Sequence, residues 1–145
     1  VMLGLLDTQG GRAQPMTILF DGDENKGPLY TFTTNDTDLV RALGNGARAT
    51  AQFASKGLDL FAAIDGTLEP YNDRATIDRL WNPYVAAWFE GGKSDPKLQL
   101  LRFDAENAQV WLNDHSLLAG VKLLLGRDPK KEYADKTAEL NLGRR

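Results

Sequence analysis

The feature that most constrains the fold of this chain is a succession of short strand-like runs separated by polar, glycine-rich turns. Val1–Leu6 is apolar, and Asp7–Gly11 after it ends in two glycines that can adopt positive φ. Arg12–Phe20 leaves this turn as a second run, so the two runs predict a β-hairpin. Leu29–Thr33 is rich in aromatic and β-branched residues and predicts the third strand of a meander.

After this third strand, the apolar residues recur at nearly every fourth position instead of at every second position. Thr37–Leu43 places its apolar side chains on one helical face, with Asp36 or Thr37 as the N-cap and Gly44 as the stop signal. This segment therefore predicts a short crossover helix midway along the strands.

Four further strands are predicted beyond the crossover helix. They are Arg48–Ala54, Leu58–Leu68 with a bulge or a close backbone approach at Gly66, and a closing hairpin of Leu98–Phe103 and Ala108–Leu112 joined by Asp104–Asn107. Six to seven mostly antiparallel strands with a crossover helix are typical of a closed or split β-barrel rather than a sandwich. The expected fold class is mainly β, with some helix.

Helical patterns occur on both sides of the predicted closing hairpin. Asp73–Leu80 has helical spacing with Asn72 as its N-cap, and Pro83 separates it from a second helical turn, Tyr84–Phe89. Tyr133–Leu142 predicts a weaker polar helix near the end of the chain. A stripe of apolar residues precedes it, formed by Leu117, Leu118, Val121, Leu124 and Leu125.

The chain is predicted to be a single domain, because 145 residues can bury a core without disulfides or metals. The expected division is a barrel core over about residues 1–112 and a C-terminal helical extension over about residues 113–145. The chain opens inside an apolar run with no charged leader region, so further residues are expected before Val1.

Composition argues against several classes of partner. A formal charge of −3 and a pI near 5.1 disfavour nucleic acid as a partner, since its binders carry a basic face. No apolar run reaches the roughly 20 residues that a membrane helix needs, so no membrane partner is expected. Cysteine is absent, which excludes a thiolate nucleophile and fits the cytoplasm.

Metal and hydrolase chemistry are also disfavoured. His115 is the only histidine, so a histidine-rich metal site is excluded and a catalytic triad would depend on one residue. Asp21–Asn25 mimics part of a calcium-binding loop but lacks the later acidic ligand. A hairpin turn is the better interpretation of that run, and no metal is expected.

Three motifs in register carry a family resemblance. They are Arg12-Ala13-Gln14-Pro15-Met16, the run Thr31–Thr37, and Trp81-Asn82-Pro83 followed by Trp88–Pro96. With them the chain resembles the general stress protein 26-like branch of the pyridoxamine 5′-phosphate oxidase-like, FMN-binding split-barrel family. The likeness runs from the first strand to about Leu112 and fades after it.

The resemblance implies a homodimer with FMN in a cleft at the subunit interface, and a stress-related, flavin-dependent oxidoreductase as the activity. The residues it assigns to the cofactor are Arg12, Ala13, Gln14, Pro15, Met16, Thr33, Thr34, Thr37, Trp81 and Trp88. True pyridoxamine phosphate oxidase activity is not expected, because the C-terminal segment shows no matching basic strand motif. No residue is assigned a catalytic role.

Each of these motifs also has a purely structural interpretation. Arg12 would be a solvated turn residue, Met16 a core residue and Thr37 an ordinary helix cap. The aromatic residues Trp81, Tyr84, Trp88 and Phe89 would either lie over a flavin or pack on the barrel or the dimer interface.

One position departs from the family pattern. Leu39 stands where the family places a lysine, and the acidic Asp38 precedes it. Both changes would weaken the binding of a phosphate at Thr33–Thr37, where main-chain N–H groups at a helix start would otherwise favour it. The alternative function is therefore a non-catalytic ligand-binding or flavin-sequestering module, and Leu39→Lys is predicted to tighten FMN binding.

Overall fold

A computed structural model describes residues 1–22, 27–113 and 137–142 of the chain. Within them, eight antiparallel strands form one sheet in the order β2-β1-β5-β6-β7-β4-β3, and β8 pairs with β7. The strands are β1 Met2–Leu5, β2 Gln14–Pro15, β3 Leu19–Phe20, β4 Leu29–Thr34, β5 Ala47–Ala54, β6 Leu60–Pro70, β7 Leu98–Leu112 and β8 Thr137–Asn141. The helices are α1 Asp38–Leu43, α2 Arg74–Leu80 and α3 Pro83–Ala86, with a 3-10 turn at Gly92–Ser94.

The sheet curls because its two edge strands are nearly consecutive in the chain. β2 lies at one end of the strand order and β3 at the other, yet only residues 16–18 separate them in sequence. A connection of this length spans at most roughly 14 Å, so the two ends of the sheet must approach each other. The predicted mainly β, split-barrel fold is confirmed.

The curled sheet has apolar side chains on both faces, and each face has its own core. The first core cluster, inside the barrel, contains Leu3, Leu39, Leu43, Ala49, Ala51, Leu68, Leu101 and Phe103. The second core cluster, where α2 and α3 cover the outer face, contains Tyr30, Ile77, Leu80, Val85, Phe89, Leu98 and Leu100. Leu100 and Leu101 are neighbours on β7 and belong to different clusters, as the alternation of a strand requires.

The predicted crossover helix is confirmed, including its ends. The Thr37 side chain accepts a hydrogen bond from the Val40 main-chain N–H at 3.2 Å, and Gly44 ends the helix with φ of 58°. The bulge predicted at Gly66 is confirmed as well, since the β6–β7 register shifts between Asp65 and Gly66.

The predicted closing hairpin is wrong. Asp104–Asn107 is not a turn but part of the single strand β7, which pairs with β6 from Leu101 to Leu112. The run Arg12–Phe20 is also not one strand, because β2 and β3 pair with different neighbours at opposite ends of the sheet.

Two helix predictions need correction. Asp73, not Asn72, caps α2, and the Asn72 amide instead accepts a hydrogen bond from the Leu100 main-chain N–H at 2.8 Å. The helix predicted over Tyr133–Leu142 is wrong for Thr137–Asn141, which pairs with β7 as strand β8. The apolar stripe Leu117–Leu125, His115 and the loop residues 23–26 lie outside the described residues.

Among the helices of the described residues, none combines the length and hydrophobicity needed to span a membrane.

Candidate functional site

The segment assigned to the flavin edge, Arg12–Met16, contains strand β2, whose outer side pairs with no other described strand. This side of the sheet is called the β2 edge below. Val1 and Met16 exchange main-chain hydrogen bonds at 2.8 and 3.0 Å, and Leu3 opposes Gln14. Because hydrogen-bonded pairs alternate along an antiparallel ladder, the main-chain groups of Ala13 and Pro15 point away from β1. Ala13 therefore offers an N–H and a carbonyl, and Pro15 a carbonyl, to a ligand at this edge.

The Arg12 guanidinium beside this edge is exposed and makes no hydrogen bond or ion pair with any other described residue. Such a group is available to a ligand. The backbone next to Arg12 packs closely against β1, since a Cβ on Gly4 of β1 would lie 2.9 Å from the Ala13 Cα. The absence of a side chain at Gly4 lets the two strands approach.

The Met16 side chain does not face this edge. It packs against the first core cluster inside the barrel. The structural interpretation of Met16 is therefore correct for its side chain, and its main-chain N–H and carbonyl are already paired with Val1.

The predicted phosphate segment, Thr33–Thr37, runs from β4 into α1 and already holds a carboxylate. The Thr34 hydroxyl donates to Asp36 at 2.6 Å, and the Lys97 ammonium lies 3.6 Å from the same carboxylate. The hydrogen bond from Thr34, followed by the charge of Lys97, lowers the pKa of Asp36. Asp36 is therefore ionised at neutral pH, which disfavours a phosphate at this position.

Lys97 is a residue that sequence reasoning missed. It follows Asp95-Pro96 just before β7, and its main-chain carbonyl accepts from the Asn35 N–H at 2.9 Å. Only the register of β4 against β7, in which Thr34 opposes Leu98, brings Lys97 beside the start of α1. The sequence contains no local signal for that pairing.

The Trp81–Pro96 motif builds a scaffold for the second core cluster. The Trp81 ring lies 5.9 Å from that of Phe32 and 6.1 Å from that of Phe89. The Asn82 side chain accepts from the Val85 N–H at 2.9 Å and begins α3. Trp81 thus packs on the outer face of the sheet, on the opposite side from the Met16 side chain.

The Asp95 side chain stabilises the turn that forms the second half of the same motif. Its carboxylate accepts main-chain hydrogen bonds from Gly91 at 3.0 Å and Lys97 at 2.9 Å. These two bonds lower the pKa of Asp95, that from Lys97 more strongly. Gly92 between them takes a φ of 65°, which favours glycine. Gly92 and Asp95 of the motif therefore have a structural role in forming this turn.

Trp88 behaves differently from Trp81. Its side chain is 83% exposed, and that of Tyr84, four residues earlier, is 85% exposed. The predicted cofactor residues thus fall into three places in one chain, namely the β2 edge, the start of α1 and the outer face around α3. The described residues contain no group of three or more side chains suited to bind a metal.

The chain is similar to known proteins in sequence and in structure. A family model described as pyridoxamine 5′-phosphate oxidase like matches residues 1–133. No curated protein matches the chain.

Solved structures of general stress proteins are similar to this chain. A general stress family protein from Xanthomonas campestris pv. campestris is 56% identical, with a TM-score of 0.73 over 80% of this chain and 79% of that one. The general stress FMN/FAD binding protein from Xanthomonas citri is 55% identical, with a TM-score of 0.73 over 80% and 81%. A general stress protein 26 from Jannaschia sp. CCS1 is 26% identical, with a TM-score of 0.72 over 97% and 88%.

Proposed function

Because the chain belongs to the pyridoxamine 5′-phosphate oxidase-like family, we propose that it is a stress-related flavoprotein that binds FMN and works as a cytoplasmic homodimer. The 55% identical relative from Xanthomonas citri is an FMN/FAD binding protein, which supports a flavin as the ligand. A bound flavin would supply reversible transfer of electrons or hydride, so the proposed activity is that of an oxidoreductase.

The observation that carries this proposal is Arg12, which has no hydrogen-bond or ion-pair partner among the described residues and lies beside the β2 edge. The pyrimidine edge of a flavin presents alternating donors and acceptors together with a carbonyl that gains negative charge on reduction. Outward main-chain groups of Ala13 and Pro15 match the first requirement, and the Arg12 guanidinium matches the second. These residues would bind and orient the ring and stabilise its reduced form.

The distribution of the predicted cofactor residues supports a homodimer. Ala13 lies on the β2 edge, whereas Trp81 packs against the second core cluster and Trp88 is exposed. A single flavin that contacted both the β2 edge and Trp88 would be shared more readily by two copies than held by one. This argument agrees with the interfacial site that the family resemblance implies.

A second candidate function is a ligand-binding or flavin-sequestering module without catalysis. The carboxylates of Asp36 and Asp38 at the start of α1 favour it, because both would repel a phosphate there. Lys97 offsets only part of this repulsion, since its 3.6 Å ion pair is made with Asp36 itself and is exposed. The residues present thus fit the ring of FMN better than its phosphate.

The proposal is tested by the visible absorption spectrum of the purified protein, followed by FMN titration of the flavin-free form. We expect flavin absorption bands and saturable binding. Arg12→Ala is expected to weaken binding at least several-fold, whereas Lys56→Ala, which removes an exposed cation from the β5–β6 turn, should leave it unchanged. A colourless protein that gains neither absorbance nor thermal stability with FMN would refute the flavin proposal.

The two candidate functions are separated by turnover. An oxidoreductase with bound FMN should oxidise NADH or NADPH, with oxygen or free flavin as the acceptor. Tight binding without such turnover would support the sequestering module.

A further inference from the structure

The short helix α3 and the turn that continues it present two large aromatic side chains to solvent. Tyr84 and Trp88 are 85% and 83% exposed. They are four residues apart and therefore lie on one side of the helical turn. Pro83 and Ala87, which are also exposed, complete the surface. Pro83, Tyr84, Ala87 and Trp88 are called the α3 face below.

Buried side chains and main-chain hydrogen bonds of the same segment hold the α3 face in place. Val85 and Phe89, at the complementary helical positions, are buried in the second core cluster. The Asn82 cap fixes the start of the helix, and main-chain hydrogen bonds continue through Trp88, whose N–H donates to Val85 at 3.0 Å. Binding to this face would therefore cost little backbone ordering, which favours affinity.

The exposed aromatic area has the size that functional apolar patches have on soluble proteins. A Tyr or Trp side chain can bury about 150–250 Å², so the two together present roughly 300 Å² at the stated exposures. Soluble monomers rarely expose apolar patches larger than a few hundred Å². A standard interface buries about 800 Å² per partner, so these two residues could supply more than a third of one copy's share.

The charge around the α3 face indicates which partner it fits. Pro83–Phe89 contains no charged residue, so two copies can meet through it without bringing like charges together. An anionic membrane surface would need basic residues beside the aromatic side chains. The charged residues that flank this segment in the chain are Arg79, Glu90 and Lys93, and the two basic ones are already paired with Asp21 and Asp78. The chain as a whole carries a charge of −3.

We propose that the α3 face is a contact surface for a second copy of this chain, with Tyr84 and Trp88 as its anchors. The proposal rests on the homodimer proposed above and adds the surface through which the two copies meet. Aromatic anchors of this kind carry a large share of the energy at protein interfaces.

The test is the molar mass in solution of the wild-type chain and of the double variant Tyr84→Glu/Trp88→Glu, measured by light scattering during gel filtration. We expect twice 16.0 kDa for the wild type and 16.0 kDa for the double variant. Leu58→Glu, at another exposed apolar residue (53% exposed), is the matched control and should remain dimeric. Both anchor side chains are exposed, so the melting temperature of the monomeric variant should show that it folds.

The outcomes separate this surface from the rest of the proposed function. A double variant that remains a dimer overturns the α3 face and leaves the homodimer standing. A monomeric wild type overturns both, while flavin absorption still reports on the cofactor. If Tyr84→Glu/Trp88→Glu unfolds, Trp88→Ser alone must weaken the dimer at least tenfold, or the surface is wrong. Binding of the wild type, but not the double variant, to phosphatidylcholine–phosphatidylserine vesicles without dimerisation would replace the second copy by a membrane.

Discussion

Asp38 and Leu39 are consecutive residues whose side chains point in opposite directions. The side chain of Asp38 is 87% exposed and lies 3.5 Å from Arg41, whereas Leu39 is 1% exposed and packs inside the barrel. Position 39 is thus a core position in this chain. A lysine introduced there would place its ammonium in the barrel core rather than beside a ligand at the surface.

Leu39→Lys is therefore expected to destabilise the protein, contrary to the expectation that it would tighten FMN binding. Burying a charge without a partner costs several kcal/mol, so the urea midpoint and the melting temperature should both fall sharply. Leu39→Met, which keeps the apolar volume, should cost less than about 1.5 kcal/mol. Tighter FMN binding by a stable Leu39→Lys protein would show that this residue turns outward.

Asp38→Lys is the substitution that should strengthen phosphate binding. It removes an exposed carboxylate from the start of α1 and adds a cation there, without changing the core. We expect FMN affinity to rise roughly threefold to tenfold at low salt, while the affinity for riboflavin, which has no phosphate, stays constant. An equal gain for both flavins would place the phosphate elsewhere.

Thr31→Val should leave stability unchanged or raise it by about 1 kcal/mol. Thr31 is 2% exposed, and its hydroxyl has no hydrogen-bond partner among the described residues. Thr76 is equally buried, but its hydroxyl donates to Asp73 at 2.7 Å and accepts from Arg79. Thr76→Val should therefore destabilise by about 1–3 kcal/mol in chemical denaturation. Equal losses for the two variants would indicate a partner for Thr31.

Gly66→Ala should be strongly destabilising. A Cβ at Gly66 would overlap the carbonyl oxygen of Asp104 in the neighbouring strand, and a backbone atom cannot move aside as a flexible side chain can. Gly57→Ala is the control, because the nearest atom to its added Cβ is a side-chain oxygen of Asp59 at 3.5 Å. The melting temperature should fall by many degrees for the first variant and little for the second.

Acid should destabilise the protein through its structured carboxylates. Hydrogen bonds that the Thr76 hydroxyl and main-chain N–H donate to Asp73 lower the pKa of Asp73, and main-chain N–H groups of Lys97 and Gly91 lower the pKa of Asp95. Because folding lowers these pKa values, their stabilisation is complete above about pH 4 and is lost as the pH falls through the folded-state values. Asp95→Asn should therefore have a lower urea midpoint than the wild type at pH 6, and the difference should shrink towards pH 2.

Local patterns in the sequence were sufficient to predict most individual elements. The change of period at Thr37–Leu43 and its capping residues predicted α1 with both ends, and Gly66 predicted the bulge. The errors occurred where pairing between distant strands decides the structure. Asp104–Asn107 has the composition of a turn, yet continuous pairing with β6 makes it the centre of a fifteen-residue strand.

The candidate site was predicted less completely, for the same reason. Arg12 and the Thr33–Thr37 run were recognisable as motifs, but their hydrogen-bond partners were not. Lys97 reaches Asp36 only through the β4–β7 register, and whether Leu39 points inward depends on how α1 lies on the barrel. Trp81 and Trp88 share one motif, yet Trp81 packs against the second core cluster and Trp88 is exposed.

The short connection between β2 and β3 has a consequence for how the barrel can vary. Residues 16–18 are the link that keeps the two edges of the sheet near each other, so the circumference of the barrel is limited by chain length as well as by packing. A single inserted residue there would relax that limit, whereas the same insertion in the Ser55–Gly57 turn would only lengthen a loop. Tolerance to insertion along this chain should therefore depend on which strands a connection joins, rather than on how exposed the connection is.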